Sequence, residues 1–319
     1  MSEVDVSIVI ICMNNLPQLE DCLNSIKKYT RLVSYETWVV AYFFSEDNLQ
    51  KLKEHYSWVK IIVSNEIRGF SANNNLALKE AQGKYCFVLN DDTYFDTTVI
   101  DDLYVTISQN EEMTLVSPQI LSKDRTIQYS GIPPINWIDW LLILYKLKNE
   151  RKDRSMRYIR KEGLFQTYNI IGAAFLIRTD IFRKYGFFDE RYFFGPEDKA
   201  LSTLLNKNGY TCFVNADIKL IHLGGETGGP KSSTVCATRP AERLGCVIMY
   251  SEGKLYRRMI LSVFVWINSS IWACGWLLKM LLFRNKSFKY SFVANLNVCR
   301  IIFSHRSTTE IFKQFYIRR

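Results

Sequence analysis

Residues 86–95 read CFVLNDDTYF. An apolar run from Tyr85 to Leu89 stops abruptly at Asn90, Asp91 and Asp92. The run suits a buried strand, and its polar tip calls for a reason. Asn and Asp are ordinary turn residues, so a solvated turn is one reading. A second reading follows from α/β architecture, in which ligands bind beyond the carboxyl ends of the strands. Two carboxylates and an amide oxygen also suit a hard divalent cation. The surrounding sequence has to decide between them.

Working outward, Val6–Cys12 is a continuous apolar run of the kind found in a central parallel strand. Asn14 and Asn15 are placed to cap a helix, with Pro17 in its first turn and Leu16, Leu19, Leu23 and Ile26 at helical spacing. Residues 35–44 and 59–63 read as strands and 47–56 as a helix. Residues 72–81 read as a helix stopped by Gly83. Strands alternating with helices predict an α/β fold with a mostly parallel sheet and crossover connections. Beyond residue 115 the pattern is mixed. Strands are expected at 115–120, 170–177, 211–214 and 218–222. Short helices are expected from Thr179, as a cap, to Gly186 and over 198–208, and a glycine-rich loop at 224–230.

Of the 319 residues, 48% are hydrophobic and 23% charged, as in a globular chain with a sizeable core. The eight cysteines form no CxxC pair, which reads as reduced, buried thiols rather than a disulfide frame or zinc site. The N-terminus runs straight into a strand pattern without a basic leader, so no signal peptide is expected. The net charge of +9 is unevenly spread. Between Lys254 and Arg319 there are twelve Lys/Arg against Glu310 alone, and between Lys146 and Lys161 eight against Glu150 and Asp153. Basic clusters attract nucleic acid or anionic lipid.

Their neighbours favour lipid and no nucleic acid. Residues 260–283 are mostly apolar, carry Trp266, Trp272 and Trp276, and are flanked by Lys254, Arg257, Arg258, Arg284, Lys286 and Lys289. The length could span a bilayer, but Asn268, Ser269 and Ser270 sit mid-segment. Buried core helix, spanning helix and interfacial helix all compete, and the tryptophans and basic flanks favour the interface. WIDWLLILYKLK, 137–148, reads either as a second membrane- or acceptor-facing element or as an ordinary amphipathic surface helix. The expected domain organisation is an α/β unit over 1–255 and a basic, aromatic, membrane-associating helical segment over 256–319.

Four further stretches join the strand tip. In NEIRGFSANNNLALKEAQGKY, 65–85, Arg68 and Gly69 precede a helix whose N-terminus could offer N–H groups to a phosphate or sugar. In NIIGAAFLIR, 169–178, Gly172 and Ala173 permit close approach of a ligand. FFGPEDKALS, 193–202, puts Glu197 and Asp198 at a helix start, where capping is the plainer explanation. IHLGG, 221–225, ends a strand with His222. The order and spacing of these blocks, with VSIVIICMNN at 7–15, resemble the family 2 glycosyltransferases of the GT-A fold. They most resemble the rhamnosyltransferase-like branch that builds bacterial surface polysaccharides. The resemblance covers residues 5–225.

The resemblance implies a Rossmann-like GT-A domain and a site for Mn²⁺ or Mg²⁺. Asp92 matches the last Asp of the DxD motif as a metal ligand. Asn90 stands where the first Asp is often found, and Asp91 fills the middle. His222 matches the His that approaches the metal or diphosphate, and Asn75, with Asn14, lies on the nucleotide side. Asp198 matches the general base and Glu197 its support. One departure stands out: Ala41 and Tyr42 occupy the place of an Asp-Asn pair that contacts the base, leaving Tyr42 or Phe43 to stack on it. The implied reaction is an inverting, metal-dependent transfer from a nucleoside-diphosphate sugar, dTDP-rhamnose-like or a UDP-sugar, to a lipid-linked saccharide in O-antigen- or capsule-type synthesis. The expected location is the cytoplasmic face of the inner membrane, on an anionic surface, with an oligomer through the aromatic helix as a competing use. A nucleotidyltransferase would want basic residues after the first strand, where CMNNLPQLED has none. A catalytically idle scaffold of the same fold is the other rival, and Ala41-Tyr42 is its support.

Overall fold

Strand β1 (Val6–Cys12) is buried almost throughout, which follows from its place in the middle of a sheet. A computed structural model describes residues 4–128, 130–149, 157–224, 233–283 and 288–316. The glycine-rich stretch 225–232, the basic residues within 150–156, and Arg284 and Lys286 lie outside the described residues. After β1 come α1 (Leu16–Tyr29), β2 (Tyr35–Tyr42), α2 (Glu46–His55), β3 (Val59–Ser64), α3 (Phe70–Leu78) and β4 (Tyr85–Asn90). β1 pairs parallel with β2 and β4, and β2 with β3, as alternating apolar runs and helices predict. Leu16, Leu19, Leu23 and Ile26 of α1 face the core at helical spacing.

The second half is mixed. It runs β5 (Thr93–Tyr94), α4 (Val99–Ser108), β6 (Met113–Leu121), β7 (Gly131–Ile132), α5 (Trp137–Leu144), β8 (Leu164–Thr167), β9 (Asn169–Ile170), β10 (Ala174–Arg178), α6 (Thr179–Lys184), α7 (Glu197–Lys207) and β11 (Thr211–His222). The main sheet has the order β3-β2-β1-β4-β10-β6-β11-β5, with β8 paired to β11. β10 runs antiparallel to both neighbours and joins two parallel groups. Two expectations change here. The single strand expected over 170–177 is broken at 171–173, where the chain leaves β9 and enters β10. The two strands expected at 211–214 and 218–222 are one strand with a register shift between Asn215 and Lys219. Thr179 is the first residue of α6 rather than its cap; its hydroxyl meets the Cys86 thiol at 3.2 Å.

A helical layer completes the fold: α8 (Val235–Ser251), α9 (Leu255–Phe283), α10 (Phe288–Ile301) and α11 (Thr308–Phe315). α8, α9 and α10 share a core with α5 through Trp140, Val247, Leu261, Val265 and Val298. Trp140 stacks on Tyr250 at 5.1 Å. α5 is therefore fastened to the helical layer. Its Asn136–Asp139 capping box fixes the start, and Tyr145 just beyond its end donates its hydroxyl to the Phe264 carbonyl at 2.7 Å. α11 reaches the loop before α7, where Phe312 stacks on Phe193 at 4.0 Å and the Thr308 hydroxyl donates to the Arg191 carbonyl. All eight cysteines are free, as their spacing predicts, but not all are buried as expected: Cys236 and Cys299 are half-buried and Cys274 is exposed.

Candidate active site

Sheet register brings the two metal candidates together. β11 pairs antiparallel with β5, His222 opposite Thr93, so His222 lies beside the residue next to Asp92. The His222 Nε2 is 3.2 Å from Asp92 Oδ1. That distance does not carry a well-aligned hydrogen bond, and Asp92 Oδ1 is buried without a donor. His222 Nδ1 lies 3.2 Å from Gln128 Oε1. Gln128 uses its amide nitrogen toward Ser122 Oγ and the His222 carbonyl, so Oε1 is its acceptor. His222 is thereby set to donate from Nδ1 and to present a bare Nε2 toward Asp92, the arrangement of a metal-binding imidazole with its supporting acceptor. No cluster of three metal-ligating side chains exists among the described residues. Carboxylate plus imidazole, with remaining places for phosphate oxygens and water, fits Mg²⁺ or Mn²⁺ bound jointly with a diphosphate. Gln128 is a residue that sequence reasoning missed. A loop glutamine 94 positions from its partner carries no local signal.

Asp91 is the inner member of the tip. Burial pushes its carboxyl up to about 6; the Cys12 thiol opposes this and neighbouring Asp92 adds to it. Asn90 connects the tip to the second carboxylate group. Its N–H donates to the Ala173 carbonyl at 2.9 Å, and the Gly172 N–H donates to Asp198 Oδ2 at 3.1 Å. Asp198 Oδ1 accepts from the Lys199 N–H at 2.7 Å. A Cβ on Gly172 would stand 3.2 Å from Asp198 Cβ, which is why a glycine serves there. Two residues of chain, 172 and 173, thus bridge the end of β4 and the start of α7.

Glu197 is 9% exposed, with Oε2 unpartnered. Burial, and then the charge of Asp198, raise its carboxyl well above the ordinary carboxylate range. A raised folded-state value means that the folded chain holds the proton more tightly than the unfolded chain. Stability from this group is therefore full below the unfolded value of about 4.3 and is lost as pH rises through the folded value. Glu197→Gln imitates the protonated form. It is expected to match wild type in thermal unfolding at pH 4, below the unfolded value, and to exceed it at pH 8.5; an equal difference at both pH values would contradict a neutral Glu197.

The nucleotide-side candidates turn out differently. Asn75 is 1% exposed, and its amide is taken up by the Phe188 N–H and carbonyl and by Glu190. It latches α3 to the loop before α7 and has no face for a nucleotide. Asn73 and Asn74 are likewise buried and bonded, to Ser64, the Arg68 carbonyl and the Phe70 carbonyl. Buried amides need such partners, so the polar run in this helix is internal glue. Gly69 is required by backbone approach: a Cβ there would fall 2.1 Å from the Phe193 oxygen. That oxygen accepts the Phe70 N–H at 2.7 Å, so the first donor of α3 is already spent. The Arg68 guanidinium pairs with Glu66 and Ser64. Tyr42 is 8% exposed, accepts the Arg68 N–H on its hydroxyl and packs against Phe43 at 4.5 Å, so it is not free to stack on a base. Phe43 is the half-exposed ring of the pair. Asn14 makes no cap; its Oδ1 accepts from the Ser45 N–H and the Asn48 amide, tying the first loop to α2.

Comparison with known proteins bears on this arrangement. Three solved structures share the fold at low identity. One is GalNAc-T7 with UDP, GalNAc and Mn²⁺: TM-score 0.54, 15% identity, 69% of this chain and 43% of that one. Another is the mannosyltransferase PcManGT from Pyrobaculum calidifontis with GDP-Man and Mn²⁺: TM-score 0.52, 14% identity, 93% and 88%. The third is S. aureus TarS: TM-score 0.51, 15% identity, 82% and 43%. The O-antigen biosynthesis protein RfbC of Myxococcus xanthus is 24% identical over 225 residues, which is 68% of this chain and 17% of the relative's length. The family model described as "Glycosyl transferase family 2" matches residues 7–186, more than half of the sequence and the whole stretch from β1 through the Asn90–Asp92 tip to the end of α6. A match over more than half of the sequence shows the family: the chain belongs to glycosyltransferase family 2.

Proposed function

We propose that this chain moves a sugar from a nucleoside-diphosphate donor to a hydroxyl of a lipid-linked saccharide, with inversion at the anomeric carbon. The observation that carries the reading is the bridge Asn90–Ala173–Gly172–Asp198. It places a metal-fitting carboxylate–imidazole pair and a second, oriented carboxylate on two sides of one short segment. Neighbours of the same fold were solved with UDP or GDP-Man and Mn²⁺, which supports a nucleotide-sugar donor and a divalent cation. The name of the M. xanthus relative supports a role in O-antigen biosynthesis.

In this mechanism Asp92 and His222 are the residues that would hold the cation. When bound, Mn²⁺ or Mg²⁺ neutralises the charge that grows on the leaving diphosphate. Asp198 takes the proton of the acceptor hydroxyl as that oxygen attacks the anomeric carbon from the face opposite the diphosphate. Both carboxylate oxygens of Asp198 are fixed by backbone N–H groups and each retains a second acceptor position for the hydroxyl proton. Glu197, held neutral by burial, sets no second negative charge against the base. Gly172 and Ala173 line the acceptor side.

Thermal unfolding with UDP, dTDP, GDP and CDP, each with and without Mn²⁺, tests the reading. One nucleotide is expected to raise the Tm only when Mn²⁺ is present. At a hundredfold excess over Kd the stabilisation is about 2.7 kcal/mol. A folded protein that responds to none of them would shift the reading to an idle scaffold, which the sealed corner at Ala41 and Tyr42 favours.

A further inference from the structure

We propose that the outer face of α9, with α5 beside it, docks along an anionic lipid surface, the helix lying on the bilayer rather than crossing it. The inference stands on the surface of α9 and not on the transferase reading. Among the described residues α9 is the one helix long and apolar enough to cross a membrane, yet its polarity is arranged inside out for water. Of the polar residues that in the sequence weigh against a membrane helix, Asn268 and Ser269 are 7% and 2% exposed and Ser270 is half-buried, and Ser262 is likewise buried. The Ser262 hydroxyl donates to the Ile302 carbonyl at 3.2 Å and the Asn268 amide to the Leu144 carbonyl at 3.4 Å. The opposite stripe is apolar: Met259, Val263, Ile267, Ile271, Leu278 and Leu282 are 50%, 42%, 39%, 60%, 57% and 66% exposed. A surface helix in water shows the reverse order, polar outside and apolar inside. A continuous exposed apolar stripe marks a surface that meets an apolar medium.

The rim identifies that medium. Lys146 Nζ lies 4.5 Å from the Trp272 ring centre, and Lys279 Nζ lies 4.9 Å from that of Trp276. Indole rings and lysine ammoniums side by side suit the boundary between acyl chains and headgroup phosphates. α9 contains no acidic residue. A symmetric contact between two copies through this stripe would offer its lysines no carboxylate from the facing α9. Phosphate headgroups supply that counter-charge. The inward stripe, Leu261 and Val265 against Val247, Tyr250 and Val298, is committed to the protein, so one face of α9 is left for lipid.

The test uses the full chain, because α11 stacks Phe312 on Phe193 and a truncated protein would lose the support of the loop before α7. Flotation is measured with vesicles of phosphatidylcholine carrying roughly one-third phosphatidylglycerol, and with pure phosphatidylcholine. Wild type is expected to float with the anionic vesicles and to detach as salt rises. Ile271→Glu with Leu278→Glu is expected to cut binding at least about tenfold with an unchanged Tm, since both side chains are exposed. Lys146→Glu with Lys279→Glu is expected to cost about fivefold per cation on anionic vesicles and little on neutral ones. Wild type that stays in solution, or a Glu pair that floats as wild type does, would overturn the proposal. So would a concentration-dependent dimer without vesicles that the Glu pair abolishes, because the stripe would then belong to a second copy.

Discussion

Asp198→Asn is expected to slow sugar transfer by about 10²–10⁴-fold while leaving metal-dependent nucleotide binding intact. The split follows from position. Asp198 sits at the start of α7, held by the Lys199 and Gly172 N–H groups, and reaches the Asp92 side only through the 172–173 segment. An amide keeps the shape and removes the basic oxygen. It also turns an NH₂ group toward one of the two backbone donors, leaving that N–H without an acceptor at a cost of about 1–3 kcal/mol. Thermal unfolding therefore accompanies the kinetics. The donor nucleotide found by the binding panel is used in single-turnover transfer, and its Kd is measured in parallel. A fall of less than about tenfold, in a variant as stable as wild type and binding donor equally, would remove Asp198 from the role of base.

The parts of the fold that were legible in the sequence are those where local pattern and tertiary environment agree. Val6–Cys12 is apolar throughout because both of its faces are covered, and the leucines of α1 repeat because one face is. The tip at Asn90–Asp92 was legible for a similar reason: three polar residues at the end of a buried strand need a partner. The 171–173 break was not, because Gly and Ala fit a strand interior as well as the turn between β9 and β10. Asn75 shows a deeper limit. An amide that serves a ligand and an amide that serves the backbone of Phe188 are the same residue in a sequence, and only the packing of α3 against the 188–193 loop distinguishes them. Asn268 and Ser269 fail in the same way: their polarity was legible and the direction they face was not. The 65–75 motif nonetheless bears on chemistry, at one remove. Through the Phe70–Phe193 hydrogen bond and the Asn75 latch it fixes the loop that leads into Glu197 and Asp198 at the start of α7, and α11 packs on the same loop through Phe312.

Asp92→Ala is expected to abolish the Mn²⁺-dependent nucleotide shift and, with it, transfer. The argument rests on a conflict within the protein. Asp92 Oδ1 is buried, lacks a donor and faces His222 Nε2 at 3.2 Å. Gln128 Oε1 claims the proton on Nδ1, so Nε2 points a lone pair at a carboxylate oxygen. Two electron-rich atoms at that distance repel, and either a cation held by both or a proton on Nε2 relieves the repulsion; Mn²⁺ titration separates the two. A cation also explains why the buried Oδ1 of this half-buried carboxylate is tolerated without a hydrogen bond. Gln128 then acts as a positioning residue, and Gln128→Leu should weaken Mn²⁺ binding by about 10–100-fold, as loss of an acceptor behind a ligating imidazole does elsewhere. Both effects are readable without turnover, by the paramagnetic resonance signal of free Mn²⁺ titrated with protein in the presence of the donor nucleotide. The order expected is wild type, then Gln128→Leu, then Asp92→Ala, which should leave all of the Mn²⁺ free. Undiminished Mn²⁺ binding by Asp92→Ala would place the cation elsewhere and reduce the polar tip of β4 to the solvated turn that Asn and Asp so commonly make. An Asp92→Ala protein that loses Mn²⁺ while Gln128→Leu keeps it in full would retain the carboxylate as a ligand and take His222 out of the coordination, since the imidazole would then have no need of a fixed tautomer.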